Sequence, residues 1–258
     1  MFRSPLRYAG GKSRAVKEIF SYIEKLDIDT LCSPFFGGGS IEIHAAQNGI
    51  KIYGYDYFKP LTNFWHHLLI NPKKLADAVS KYHPLQPRQR FYDLQRSHIS
   101  IKDSFQSAVI FYVLNRTSFS GSTLSGGMAS GGIDDNPRFT QSSIDRIRNF
   151  KMNNLTINYM DFRKSIKLHN DKFLYLDPPY LIAHNLYGVK GNLQKGFDHI
   201  GLNKELQLHN NWILSYNDSK EIRDMYSNYK IIIPHWSYSM SKNKKSNEVL
   251  IFSKDAEF

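Results

Sequence analysis

The tetrapeptide Asp177-Pro178-Pro179-Tyr180 brings together a carboxylate, two consecutive prolines and an aromatic ring. It follows Lys172-Phe173-Leu174-Tyr175-Leu176, a short apolar run that reads as a buried strand of a parallel sheet. Two prolines cannot continue a central strand, because neither has an N–H for the ladder. They form a stiff turn with free carbonyls and fixed directions. Two oxygen acceptors beside an aromatic face suit a flat base that carries an exocyclic amino group. The group would stand at the C-terminal edge of its strand, where open α/β sheets bind ligands. The plainer alternative is a strand that ends in a proline turn.

A second set of residues suits an adenosine-bearing ligand. Thr30–Phe35 reads as a strand and runs into Phe36-Gly37-Gly38-Gly39. Ser40 is expected to cap a helix that continues to about Asn48 and stops at Gly49. Glycines in such a turn let backbone N–H groups close on a ligand, with a helix N-terminus behind them. Lys51–Tyr55 then alternates like a strand and ends at Asp56. Asp56 lies about 20 residues beyond the glycines, the spacing at which an acid accepts hydrogen bonds from ribose hydroxyls. A solvated aspartate at a strand end is the alternative. No GxGxxG is present, which disfavours a nicotinamide dinucleotide.

Other chemistries find little support. Ala9-Gly10-Gly11-Lys12-Ser13 has the ending of a P-loop, but Leu6 stands where the first glycine is needed and no hydrophobic strand precedes it. Cys32, the only cysteine, falls inside an expected buried strand and reads as core rather than nucleophile. There is therefore no disulfide framework, no cysteine zinc site and no HExxH, and no metal is expected. The net charge of +11 and a pI near 9.5 favour a polyanionic partner, nucleic acid before an acidic membrane. No signal-peptide or membrane-spanning apolar run is seen, so a reducing cytoplasm is the expected setting.

The elements that position these groups alternate. After a helix over residues 14–26 and the first strand–helix–strand unit, further strands are expected at Leu155–Tyr159, Phe173–Leu176, Ile213–Tyr216, Lys230–Pro234 and Glu248–Phe252. Between Pro60 and about Phe150 the pattern changes: Pro60–Leu69, Lys73–Tyr82 and the buried Phe105–Leu114 look helical. Arg116–Phe139, rich in Gly and Ser and carrying Asp134 and Asp135, reads as a long functional loop or hairpin. Arg116 suits either a phosphate clamp or the satisfaction of carbonyls at the helix end. Lys242, Lys244 and Lys245 read as a solvated charge run more than as phosphate contacts, and the polar Tyr187–Gly201 as a mobile lid.

With these motifs in order, the chain resembles the Dam-like DNA adenine-N6 methyltransferases nearly from end to end. Tyr8-Ala9-Gly10-Gly11-Lys12 is similar to their N-terminal cofactor motif, with Tyr8 in place of the usual Trp. Ser33-Pro34-Phe35-Phe36-Gly37-Gly38-Gly39, continuing to Ser40, resembles the glycine motif that holds S-adenosylmethionine (AdoMet). Here Ser33 replaces an acidic residue common before Pro-Phe, at the methionine end of the cofactor. Asp56 matches the ribose-binding position, Asp161-Phe162 the adenine contact and Asp177–Tyr180 the catalytic motif, while Leu214-Ser215-Tyr216-Asn217 resembles a later one. Asn115-Arg116-Thr117-x-Phe119-x-Gly121 is similar to a motif of the DNA-binding domain, so that Asn115, Arg116, Thr117, Ser118 and Arg138 are expected to contact DNA.

The resemblance implies a Rossmann-like seven-stranded α/β sheet with a terminal antiparallel hairpin. Residues 1–58 and 151–258 would form the catalytic domain and residues 59–150 an inserted, mostly helical target-recognition domain. It further implies AdoMet as cofactor, S-adenosylhomocysteine as product, double-stranded DNA as partner and a prokaryotic, phage or viral source. A flipped-out adenine would stack on Tyr180, with its amine bonded to Asp177 and to the Pro178 carbonyl. Cytosine-N4 methylation uses the same amine chemistry, and an inactive DNA-binding protein of the same fold stands as a further alternative. Target sequence, a cognate restriction endonuclease, and monomer against dimer are left open by the sequence.

Overall fold

The computed structural model describes residues 2–8, 10–129, 136–181, 196–234 and 247–254. Its centre is a seven-stranded sheet in the order β3-β2-β1-β4-β5-β7-β6. The strands are Thr30–Ser33 (β1), Lys51–Asp56 (β2), Leu155–Tyr159 (β3), Phe173–Leu176 (β4), Trp212–Asn217 (β5), Lys230–Ile232 (β6) and Glu248–Phe252 (β7). The pairs from β3 through β5 are parallel, and β7 lies antiparallel between β5 and β6. The expected antiparallel pairing of the last two strands is thus present, with β7 also covering the edge of β5. Chain order reverses between β1 and β4, which makes their C-terminal ends the switch point where such sheets bind ligands.

Strands β1, β4, β5 and β7 are buried nearly along their whole length because both of their faces are covered, whereas β3 and β6 at the edges are partly exposed. Along β4 and β5, alternate residues enter two different cores: Phe173, Tyr175 and Ile213 on one side, Leu174, Leu176, Trp212 and Leu214 on the other. The first core takes helices α1 (Val16–Glu24), α2 (Ser40–Gln47), α3 (Lys59–Ile70), α4 (Pro72–Ser80), α5 (Arg88–Ser97), α6 (Ser104–Thr117) and α7 (Gln141–Arg148). The second takes α8 (Phe162–Leu168), α9 (His199–Gln207) and α10 (Lys220–Met225). Phe64 and Trp65 of α3 and Phe111 of α6 are fully buried in the same cluster as Ile41 and Ile52. Among the described residues, 59–150 therefore shares its hydrophobic core with the sheet. No helix there is long and apolar enough to cross a membrane.

Three local expectations change. Gly39, not Ser40, occupies the N-cap of α2, with φ 66° and no side-chain cap bond, and Ser40 is the first helical residue. The turn needs a left-handed residue at the cap, which a serine would strain. Asn115, Arg116 and Thr117 lie in the last turn of α6 rather than after it. Helices α5 and α7 were not expected: α5 is strongly polar and buries only Phe91, while α7 is started by a Thr140/Ser143 capping box on a short, mostly polar segment.

Candidate active site

The C-terminal edge of the parallel strands opens into a cavity of about 320 Å³. Apart from Ser33, the residues of the AdoMet motifs that fall among the described residues line it, among them Tyr8, Gly10, Lys12, Phe35, Phe36, Gly37, Gly38, Gly39, Ser40, Asp56, Asp161, Phe162 and Asp177. Ala9 lies outside the described residues, as do Asp134, Asp135, Lys242, Lys244, Lys245 and most of Tyr187–Gly201. Of the proline–tyrosine turn, Pro179 reaches the cavity wall.

The glycine turn makes room for a neighbour. Gly37 has φ +48°, and a Cβ on Gly38 would stand 2.7 Å from the Cβ of Tyr8. The missing side chains make room for the Tyr8 ring, which brings the N-terminal segment onto the turn. Trp65 of α3 donates to the Gly37 carbonyl at 3.1 Å and fixes the turn from below. Trp65 is a site-supporting residue that no local motif announces, because its register on α3 reads only as core.

At the end of β2, Asp56 accepts the backbone N–H of Gly37 and of Phe58, each at 2.9 Å. Burial pushes its carboxyl up to about 6 despite those bonds. The Tyr57 N–H bonds it as well, and the carboxylate keeps acceptor capacity for a hydroxyl beyond these three bonds. Beyond β3, Asp161 caps α8, and Phe162 packs with Phe35 and Phe197 at centroid distances of 5.4–5.5 Å. These three rings form an apolar wall of the cavity. Phe197 belongs to the segment expected to be a lid, and its place in that wall was not legible from the chain.

At the end of β4, Lys12 donates to both oxygens of Asp177, at 2.6 and 2.7 Å, and to the Gly10 carbonyl at 3.1 Å. Lys12 is 3% exposed and Asp177 21%. Glu248 of β7 stands 3.8 Å from the same ammonium and accepts the Tyr180 hydroxyl at 2.5 Å. The ammonium also lies 5.0 Å from the centre of the Tyr180 ring. One cation thus faces two carboxylates. Burial pushes Asp177 up to about 6, Lys12 pulls it down and Glu248 raises it. Asn217 accepts the Leu181 N–H at 3.0 Å, and Ser215 lies 3.4 Å from the Tyr180 hydroxyl. The Leu214–Asn217 motif thereby braces the proline turn. Glu248 was missed because nothing nearby in sequence marks it; antiparallel insertion of β7 beside β5 brings it there.

The residues expected to touch DNA are placed differently. Asn115, Thr117 and Ser118 are fully buried and leave no surface for a partner. Asn115 accepts the Arg7 N–H at 2.9 Å and donates to the Arg7 carbonyl at 2.7 Å, so α6 pairs with the segment that leads to Tyr8 and Lys12. Gly121 has φ +75°, and a Cβ there would stand 1.9 Å from the Arg7 carbonyl, which is why this motif needs glycine. Arg116 donates to the Arg138 carbonyl at 2.6 and 2.9 Å, so it ties down a distant segment and not the last-turn carbonyls of its own helix. Arg7, Arg116 and Arg138 converge nonetheless: burial and these two neighbours lower Arg7 to about 10.

No cluster of metal-ligating side chains occurs among the described residues. Cys32 is fully buried, and burial raises its thiol far above the range of a nucleophile. With that geometry in view, a family model described as D12 class N6 adenine-specific DNA methyltransferase matches residues 8–240. No curated protein matches the chain.

Proposed function

The chain belongs to the D12 class N6 adenine-specific DNA methyltransferases, and from that premise we propose that its cavity binds AdoMet across the strand ends and presents Asp177 to the amine of a flipped-out adenine. The enzyme methylates adenine N6 in DNA. The observation that carries the assignment of residues is that Asp161, Asp56 and Asp177 line one cavity at the ends of β3, β2 and β4.

The residues present fit the cofactor. The Phe35–Phe162–Phe197 wall offers an aromatic face to an adenine, with Asp161 beside it, and Asp56 keeps acceptor capacity for a ribose. When bound, AdoMet supplies a methyl group on a positively charged sulfur. The protein's task is to aim an amine lone pair at it. Asp177 accepts one N6–H and the Pro178 carbonyl the other, which draws the nitrogen toward tetrahedral geometry and frees its lone pair from the ring. Tyr180, fixed through its hydroxyl by Glu248, stacks on the base and returns about 1–3 kcal/mol of the cost of flipping. Asp177 keeps lone pairs for the amine while Lys12 is bound, so the ion pair need not break. The two prolines hold both acceptors in fixed directions, and much of the rate comes from that alignment.

We assign target recognition to residues 59–150, with Arg138, beside Arg7 and Arg116, contacting phosphate. Three like charges converging favour an anion between them. Arg138→Ala is expected to weaken DNA binding several-fold and to lower the slope of log affinity against log salt by about 1. An unchanged slope in a fluorescence-anisotropy titration removes Arg138 from the interface.

The assignment of base and site is tested by expressing the chain in a methylation-free host and sequencing the DNA by a long-read method that registers methylated bases. N6-methyladenine in one recurring motif is the expected result. N4-methylcytosine would reassign the base.

A further inference from the structure

The strand order sets four positions side by side along the binding edge: Asp161 after β3, Asp56 at the end of β2, Ser33 at the end of β1 and Asp177 after β4. With adenine and ribose at the first two and the reacting amine at the last, the zwitterionic methionine end of AdoMet falls to the end of β1. Its ammonium, leaving water, needs an anionic partner. Position 33 cannot provide one, because it is a serine. A carboxylate is nevertheless there. Glu42, in the first turn of α2, lines the cavity, is 2% exposed, and accepts the Ser33 hydroxyl at 2.6 Å. Its helix neighbours Ile41, Ile43, Ala45 and Ala46 are buried and apolar, a costly setting for an acid with no cation of its own. Lys12, whose charge it feels, is committed to Asp177.

We propose that Glu42, oriented by Ser33, takes the ammonium of the cofactor's methionine end, replacing an acidic residue at position 33 by one on the facing helix. This rests on AdoMet being the ligand of the cavity. The buried acid then has a reason to exist: ligand binding supplies the cation that the fold withholds. Burial pushes Glu42 up to about 7, with Asp177 raising it further and Lys12 and the Ser33 bond lowering it. An arriving ammonium favours the ionised form, so binding near neutral pH releases a proton from Glu42.

The test is calorimetric titration of the full chain with two ligands: AdoMet, and 5′-methylthioadenosine, which has the adenosine and no amino-acid end. Glu42→Gln is expected to weaken AdoMet by about 10–100-fold, the loss for one charge-assisted bond, and to leave methylthioadenosine within about twofold. Ser33→Asp combined with Glu42→Gln is expected to restore most of the AdoMet affinity. The unaltered protein gives a reading that needs no variant. From pH 7.5 to 6, where the cofactor's amino group is mostly protonated, its AdoMet affinity should fall more than its methylthioadenosine affinity. AdoMet affinity unchanged in Glu42→Gln, or equal losses for both ligands, would overturn the assignment. If the unaltered chain binds neither ligand, the cofactor reading itself falls and takes this one with it. If it binds both equally at every pH, only the Glu42 assignment falls.

Discussion

Asp177→Asn is expected to lower kcat by on the order of 10³-fold while leaving the AdoMet dissociation constant within a few-fold, the scale seen when one charged group aimed at a reacting centre is neutralised. Asparagine keeps the shape and one acceptor oxygen, but it loses the charge that favours the developing positive charge on nitrogen. It also aims an N–H donor into the space where Lys12 now donates to both oxygens. Asp177→Ala removes the acceptor altogether and should lose at least as much. The pH profile separates charge from shape. Asp177 must be ionised to accept the amine, and burial holds it up at about 6. The unaltered enzyme should therefore lose turnover about tenfold per pH unit below about 6, and the asparagine variant should lack that limb. Single-turnover rates on a duplex carrying the target motif measure both. Turnover within tenfold of normal, or an acid limb that persists in Asp177→Asn, sinks the mechanism.

What the chain discloses and what it conceals divide along physical lines. Each strand was marked by a short apolar or alternating stretch, and the parallel order of β3 through β5 follows from alternating strands and helices. Asp56 and Asp177 were legible because each sits at or directly after its strand's end, where the sheet itself delivers it to the cavity. A group positioned by local sequence can be read locally. Glu42, Trp65, Phe197 and Glu248 are positioned by packing across elements and carry no such mark. Glu42 looks like an exposed helix acid until α2 is laid against β1, and Glu248 gains meaning only from antiparallel pairing with β5.

The Asn115–Gly121 motif teaches the same point from the other side. Its polar residues resemble a DNA-contacting set, yet Asn115 spends its hydrogen bonds on the Arg7 backbone and Gly121 gives way to the Arg7 carbonyl. A conspicuous polar motif at a helix end can exist to hold another segment, here the one that delivers Tyr8 and Lys12. Residue type alone does not separate the two uses, because both need hydrogen-bonding side chains that project from the last helical turn.

Lys12 is where that delivery has its largest consequence, and Lys12→Met is expected to damage stability and shift the pH profile together. The ammonium is nearly inaccessible and faces both Asp177 and Glu248. Removing it leaves two carboxylates in one buried site, a loss of about 3–5 kcal/mol for breaking one member out of a buried pair. The sign with pH is fixed by the direction of the Asp177 shift. Its folded pKa, about 6, already lies above the ordinary 3.8, so the folded state holds its proton more tightly than the unfolded state. Stability from this group therefore rises as pH falls from about 6 toward 4, and ionisation costs stability at higher pH. Without Lys12 the folded pKa moves further up, and the cost of ionisation extends through neutrality. Denaturant unfolding of the apo protein should show a large loss at pH 8.5 and a much smaller one at pH 5.5. The acid limb of turnover should move upward in parallel. Equal losses at both pH values would mean that Lys12 contributes packing rather than charge. The two shifts share one cause, because the carboxylate that must be ionised to hold the amine is the one whose ionisation the fold resists, and Lys12 sets the balance between them.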